Sequence, residues 1–240
     1  MTRSTVWRLV PALGLTQIVS WGTLYYSIAV LGASMREELG ISAAMLFGAY
    51  SLALLISALT APFVGRAIDR HGGRVVMSAG SVAAALALFL IAHVHSTIAL
   101  FLAWSVAGLA MAMTMYDAAF ATLSQHSGPR YRKALTALTL MGGLASTAFW
   151  PASLKGLEWF GWRDTLLIFA ALEIALCLPL HLLFIPPSTG AADHGKAGAA
   201  EGRGALPSAK RRAAFVWLAT AFAFNGFIVS VLTVHLITIL

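Results

Sequence analysis

The chain has 240 residues, of which 59% are hydrophobic and only 10% charged, with a formal net charge of +7. Soluble domains carry about 25% charged residues, so an ordinary water-soluble globule is excluded. Apolar runs of about 20 residues, the length a helix needs to cross a bilayer core, recur along the chain and are continuous. The strands of a membrane barrel would alternate polar and apolar residues instead, so the predicted class is an all-α, polytopic membrane protein.

The excess of positive charge does not imply a nucleic-acid partner, because the basic residues fall in short clusters between apolar runs. Cys177 is the one cysteine, which excludes an intramolecular disulfide and a multi-cysteine metal site. The basic start resembles a signal peptide, but the apolar run behind it is too long and no small-residue cleavage site follows. It reads as a retained first span.

Six spans are predicted at about residues 9–33, 43–64, 75–92, 97–123, 134–154 and 164–185. From 186 the composition turns to Gly, Ala, Pro and Ser without periodicity, which predicts a flexible linker closed by Lys210, Arg211 and Arg212. A seventh span runs from about 213. The predicted organisation is therefore a six-helix transmembrane bundle over 1–185, a basic cytoplasmic linker over 186–212, and a seventh transmembrane helix over 213–240. That span runs to residue 240 with no polar flank on its far side. The chain is expected to be one half of a larger protein plus the first helix of the next half.

Alternating sides with the N-terminus inside puts Arg3, Arg8, Arg66, Arg70, Arg74, Arg130, Arg132, Lys133, Lys196, Arg203, Lys210, Arg211 and Arg212 in the cytoplasm. Only Arg36, Lys155 and Arg163 fall outside. The positive-inside bias favours this orientation strongly.

Residues Gly65-Arg66-Ala67-Ile68-Asp69-Arg70-His71-Gly72-Gly73-Arg74 lie between the second and third spans. They predict a tight cationic loop in which Gly65 and Gly72 permit the turn. This segment resembles the loop joining the second and third helices of the major facilitator superfamily, Gly-x-x-x-Asp-Arg-x-Gly-x-Arg, with Gly65, Asp69, Arg70, Gly72 and Arg74 at its positions. Glu37-Glu38-Leu39-Gly40, Arg130 with Arg132, Gly161-Trp162-Arg163 and the long inner linker agree with it. The resemblance implies about seven of the family's usual twelve helices, arranged in bundles that rock about a site near the membrane midplane. The opposing wall would come from a missing C-terminal half or from a homodimer partner. It also implies that the decapeptide is a cytoplasmic gating loop, latching one bundle to the other.

Two departures narrow the expectation. Where many drug exporters of the family carry a buried arginine, four residues before Gly108, this chain has Trp104. The fifth-helix Gly-Pro-x-x-Gly-Gly pattern is absent, since Gly142-Gly143 and Pro151 are not so arranged. Drug–proton antiport is therefore not implied.

An ionisable side chain inside a span is a functional candidate by default. Asp117 lies about 10 Å from the inner end of its span at 1.5 Å per residue. It reads as a proton carrier, as a partner for a cationic or hydroxylated solute group, or as an ion-pair partner of Arg70 or Arg74. Gln17, Trp21 and Tyr25 share one face of the first span. That face is expected either to line a cavity, at a depth matching Asp117, or to bond a neighbouring helix. Asn225-Gly226 suggests a local break in the seventh helix at the site, or helix packing. Thr139, Gly143 and Thr147 read as a packing seam, and Tyr50 and Ser57 carry little weight. Glu173, Cys177 and His181 are spaced as a metal or proton site, or as a neutral glutamic acid bonded to a neighbour. His93 and His95 lack further ligands, and no metal is expected.

The predicted function is secondary active transport of a small organic solute by alternating access, coupled to an ion, the proton being the one expected, in a bacterial inner membrane. The alternative, motivated by the missing half, is a non-transporting membrane scaffold or assembly partner. No phosphate-binding loop supports ATP use, and no nucleophile–base spacing supports an enzyme. The implied partners are the lipid bilayer and a small solute, with no cofactor.

Overall fold

The computed structural model describes residues 3–187 and, further on, 213–214, 216–218, 220–222 and 224–226, with side chains from residue 7. The contacts divide the chain into one unit over Met1–Ala191 and a second over Ala192–Leu240.

The first unit is helical throughout its described length. α1 (Arg3–Ser20) passes through a π-helical turn at Trp21–Tyr26 into α2 (Ser27–Leu39), which Gly40 ends in the left-handed conformation. Ser42 caps α3 (Ala43–His71) by accepting from the Met45 amide at 3.2 Å. α4 spans Gly73–Ala92, and Ser96 caps α5 (Thr97–Thr114) in the same way, through the Ala99 amide. α6 (Tyr116–Ser127) and α7 (Tyr131–Gly142) are joined by a tight 3-10 turn at Gly128–Arg130. α8 (Ala145–Leu172) bends at Gly161 and continues through a π-helical turn, Glu173–Cys177, into α9 (Leu178–Phe184).

Four of these helical stretches are long and apolar enough to cross a membrane: Trp7–Leu39, Ala43–His71, Gly73–Ala92 and the repeatedly broken Thr97–Phe184. α5 packs against both α3 and α4, α4 packs on α8, and α1 packs on α7. Leu31, Leu46, Leu88, Leu100 and Met111 are fully buried in one apolar cluster, and Leu13, Ile68, Met77 and Leu138 in another. Outside them Leu59, Phe63, Ile98 and Leu102 are each more than 60% exposed, a surface that suits lipid.

The structure departs from the expected boundaries in instructive ways. The predicted loop over 65–74 is almost wholly helix. α3 continues two turns past Val64, and the chain reverses at a single residue, Gly72, with φ 84° and ψ 152°. Gly65 makes no turn; it sits inside α3, where an added Cβ would meet nothing. Apolar residues end where lipid ends, but backbone hydrogen bonding carries a helix on into water. The predicted loop over 155–163 is likewise helical up to Gly161, at φ 76°. There the chain folds back, so that Gly156 faces the Thr165 side chain nine residues on; a straight helix would separate them by about 13.5 Å. The fourth predicted span is split at Met115, and the fifth at Gly143–Leu144.

In the second unit the described residues between 213 and 226 are helical, with Trp217, Phe222 and Phe224 exposed. Asn225 and Gly226 are both helical, so no break occurs at that pair. Residues 188–212 of the expected linker, with Lys196, Arg203, Lys210, Arg211 and Arg212, lie outside the described residues, as do 227–240 of the seventh span.

Candidate functional site

The break at Met115 organises the site. Met115 takes extended backbone (φ −78°, ψ −170°), so α5 stops at Thr114 and α6 starts at Tyr116. The last carbonyls of a helix have no partner within it. The Thr114 carbonyl finds one in Gln17, whose Nε2 donates to it at 2.6 Å. Gln17 is completely buried. Of its two expected roles the neighbouring-helix bond is formed through Nε2, tying α1 to the end of α5, while its buried Oε1 has no partner among the described residues.

Asp117 stands in the first turn of α6 and is exposed, where unpaired amide N–H groups and the helix dipole favour a carboxylate. It therefore does not carry the burial expected of it. The expected pair with Arg70 or Arg74 is not formed either. Among the described residues the ion pair is Arg163–Glu38, and Arg74 donates instead to the Leu182 carbonyl.

An aromatic ladder crosses four elements. Trp21 lies 4.9 Å from Tyr25, 6.2 Å from Tyr26 and 5.1 Å from Tyr116, centroid to centroid. Tyr25 packs on Tyr50 at 5.8 Å, Tyr50 meets Trp104 edge-on at 5.2 Å, and Tyr116 stacks on Phe120 at 5.1 Å. The π-helical turn is what admits Tyr26. With more residues per turn than an α-helix, it lets Tyr25 at i+4 and Tyr26 at i+5 both lie beside Trp21. Trp21, Tyr25, Tyr26, Tyr116 and Phe120 are each part-exposed, whereas Trp104 is buried.

Close packing holds the ladder in place. A Cβ on Gly142 would lie 2.3 Å from the Tyr116 hydroxyl, so only glycine lets α7 come this near. The Tyr116 hydroxyl donates to the Thr139 carbonyl at 3.3 Å. Thr139, Gly143 and Thr147 are exposed, and α7 packs through Ala134, Leu138 and Gly142 instead of the expected seam.

At the far end of α3, Gln125 of α6 donates to the Ile68 carbonyl at 3.1 Å and approaches Asp69 Oδ1 at 3.5 Å. Asp69 and Arg70 are exposed. Arg74 holds the carbonyl end of α9, so one arginine of the motif serves the fold within its own unit.

A family profile described as Major Facilitator Superfamily matches residues 13–240. The chain belongs to that superfamily. It is therefore a multi-pass membrane protein of a transport family. It is also 30% identical over 142 residues to the "Multi-drug resistance efflux pump PmrA homolog" of Lactococcus lactis subsp. lactis (strain IL1403). That match covers 57% of this chain and 33% of the relative, so the chain spans one third of the relative's length.

Within this major facilitator protein the reading of single residues divides clearly. Trp21 and Tyr25 come together with Tyr116 at the Met115 break, Asp117 follows Tyr116 as an exposed residue of the same helical turn, Gln17 is buried one turn before Trp21, and Asn225 belongs to the second unit. Tyr26, Tyr116 and Phe120 were missed by a search at helical spacing, although two aromatics flanking the one carboxylate of a span were a usable signal.

Proposed function

We propose that the chain forms the first six-helix bundle and the seventh helix of a secondary active transporter with its N-terminus in the cytoplasm. It moves a small organic solute by alternating access, driven by a proton gradient, in a bacterial inner membrane. The observation that carries this reading is the part-exposed aromatic ladder at a helix break, with an exposed carboxylate in the first turn of the helix that follows. Aromatic faces attract planar apolar groups and cations, and Asp117 accepts hydrogen bonds or pairs with a cation. The solute class is thus a planar organic molecule with a cationic or hydrogen-bond-donating group. The similarity to a protein named as a multi-drug resistance efflux pump supports outward movement of organic compounds. Trp104, packed on Tyr50 in place of the exporters' arginine, sets this bundle's coupling chemistry apart.

The opposite wall is contributed by a second bundle or a second copy of this chain. Asp69 and Arg70, exposed at the end of α3, serve as the cytoplasmic latch toward it, on a hairpin fixed by Gly72 and Arg74.

The test is flux of the planar cation ethidium in membrane vesicles from cells producing the protein, with and without a pH gradient. Gradient-dependent flux that disappears in Asp117→Asn is the expected result. Flux no greater than in control vesicles contradicts the transport reading, and unchanged flux in Asp117→Asn removes that residue from the site.

A further inference from the structure

A completely buried carboxyl of the first unit joins the two π-helical turns. Glu173 is completely buried. Its Oε1 accepts from the Thr23 hydroxyl at 3.0 Å, and its Oε2 has no partner among the described residues. Ser20 and Cys177 lie beside the carboxyl, and the Ser20 hydroxyl is also without a partner.

Among the described residues no cation pairs with it. The ion pair among the described residues is Arg163–Glu38. From α1 and the Trp21–Tyr26 turn the carboxyl is met by Ser20 and Thr23, neither ionisable, while Tyr25 and Tyr26 of that turn are taken up in the aromatic ladder. α4 carries one charged residue, Arg74, which is spent on the Leu182 carbonyl. The ionisable groups of α8 (Lys155, Glu158, Arg163 and Asp164) precede Glu173 by nine residues or more.

On its own helical stretch the other ionisable groups are Cys177, which is buried, and His181. His181 is fully occupied. Thr16 spends its hydroxyl proton on the Leu13 carbonyl at 3.0 Å, so it accepts from His181 Nε2 at 3.1 Å, and His181 Nδ1 is hydrogen-bonded with the Ser81 hydroxyl at 2.9 Å. Both ring nitrogens of that histidine are used within the bundle, so it is not available to a metal or to Glu173.

An unpaired carboxylate in hydrocarbon is strongly disfavoured, and such a group binds a proton instead. A proton on Oε2 would also supply the donor that the Ser20 oxygen lacks. π-helical turns insert one residue into a helix and recur at functional sites. Here one lies on each side of the seam, Trp21–Tyr26 supplying Thr23 and Glu173–Cys177 supplying the acid.

We propose that Glu173 is the proton-carrying site of this bundle, binding a proton while the seam between α1 and the Glu173–Cys177 turn is closed. It releases that proton to water when the seam opens during transport. This places coupling behind the solute face, so Asp117 is left to hold the solute. The proposal rests on the transport reading, and two readouts separate their failures.

The first readout is infrared spectroscopy of the purified chain in lipid nanodiscs. The carbonyl stretch of an un-ionised carboxyl is expected at neutral pH and is expected to vanish in Glu173→Gln. In Thr23→Val, which removes a donor that also supports the ionised form, the band is expected to persist further into alkaline solution. Absence of the band in the wild type at neutral pH, its survival in Glu173→Gln, or an unchanged titration in Thr23→Val would overturn the assignment. So would displacement of the proton by sodium ions at fixed pH, which would make this a metal-cation site.

The second readout is ethidium flux in proteoliposomes. Glu173→Gln is expected to lose the response to a pH gradient and to retain exchange of ethidium across the membrane without one. Retention of the gradient response overturns the proposal. If the wild type moves no ethidium while the band behaves as expected, it is the transport reading that has failed.

Discussion

Replacing Arg163 by alanine removes one side chain that holds three segments together. Its Nε donates to Glu38 Oε1 at 2.8 Å, at the end of α2. Its terminal nitrogens donate to the carbonyls of Ala92 and, at 3.0 Å, Val94, where α4 ends. Its guanidinium lies 4.2 Å from the centroid of the Trp162 ring, and Trp162 Nε1 donates to Glu38 Oε2 at 2.6 Å. Carbonyls at a helix end lack partners within the helix and favour a cation. A hydrogen bond to a charged group is worth about 1.5–3 kcal/mol. The Arg163 side chain is 24% exposed, which reduces each carbonyl bond to about 1 kcal/mol. The Glu38 side chain is 51% exposed, which leaves its ion pair about 0.5 kcal/mol. Arg163→Ala is therefore expected to cost about 2–3 kcal/mol and Glu38→Gln under about 1 kcal/mol. Arg163→Lys, which keeps the charge but not the fork, falls between them. Equilibrium unfolding in mixed micelles of rising SDS fraction measures all three, and added salt is expected to shrink only the small Glu38 contribution. Glu38→Gln proving as damaging as Arg163→Ala would refute the carbonyl-capping argument, as would an Arg163→Ala protein as stable as the wild type.

Two further substitutions test the geometry. Gly72→Ala forces a side chain into φ 84°, ψ 152° and is expected to cost about 1–3 kcal/mol. Gly65→Ala, inside a helix with open space around it, is expected to be neutral or to stabilise by up to about 1 kcal/mol; the same SDS titration distinguishes them, and equal losses would contradict the helical assignment of Gly65. Gly142→Ala puts a methyl 2.3 Å from the Tyr116 hydroxyl, so Tyr116 must retreat from Trp21, with an overpacking cost of about 1–3 kcal/mol. Weaker quenching of tryptophan fluorescence by ethidium is the expected signature, and unchanged quenching would separate Tyr116 from the binding face.

How far these features could be read in advance depended on whether hydrophobicity or backbone geometry decided them. The class of fold, the family and the reversal at Gly72 were legible, because apolar runs and one motif of fixed spacing declare them. Helix ends were not. Residues 65–71 and 155–160 are polar enough to look like loops yet keep their helical hydrogen bonds. The split at Met115 was invisible, since no proline or glycine marks it; it rests on Gln17 satisfying the Thr114 carbonyl from another helix. That one contact also explains why Gln17 looked like a cavity residue: a polar side chain at depth needs a partner, and the sequence did not say which. Trp21 and Tyr25 were found on helical spacing, whereas Tyr26 needed the π-helical turn. Asp117 was found by its charge, but its exposure in the first turn of α6 follows from the unforeseen break. Asn225, in the second unit, stays an expectation from the sequence.

The central claim is that Asp117 and the aromatic ladder face a water-filled solute site while Gln17 is sealed behind them. Cys177 is buried and is the one cysteine, so Cys177→Ser gives a background for single-cysteine labelling. In membrane vesicles of that background, Asp117→Cys is expected to react with a water-soluble thiol reagent and to be shielded by ethidium, while Gln17→Cys stays unreactive. Labelling of Gln17→Cys as fast as Asp117→Cys, or no labelling at Asp117→Cys, would contradict the account.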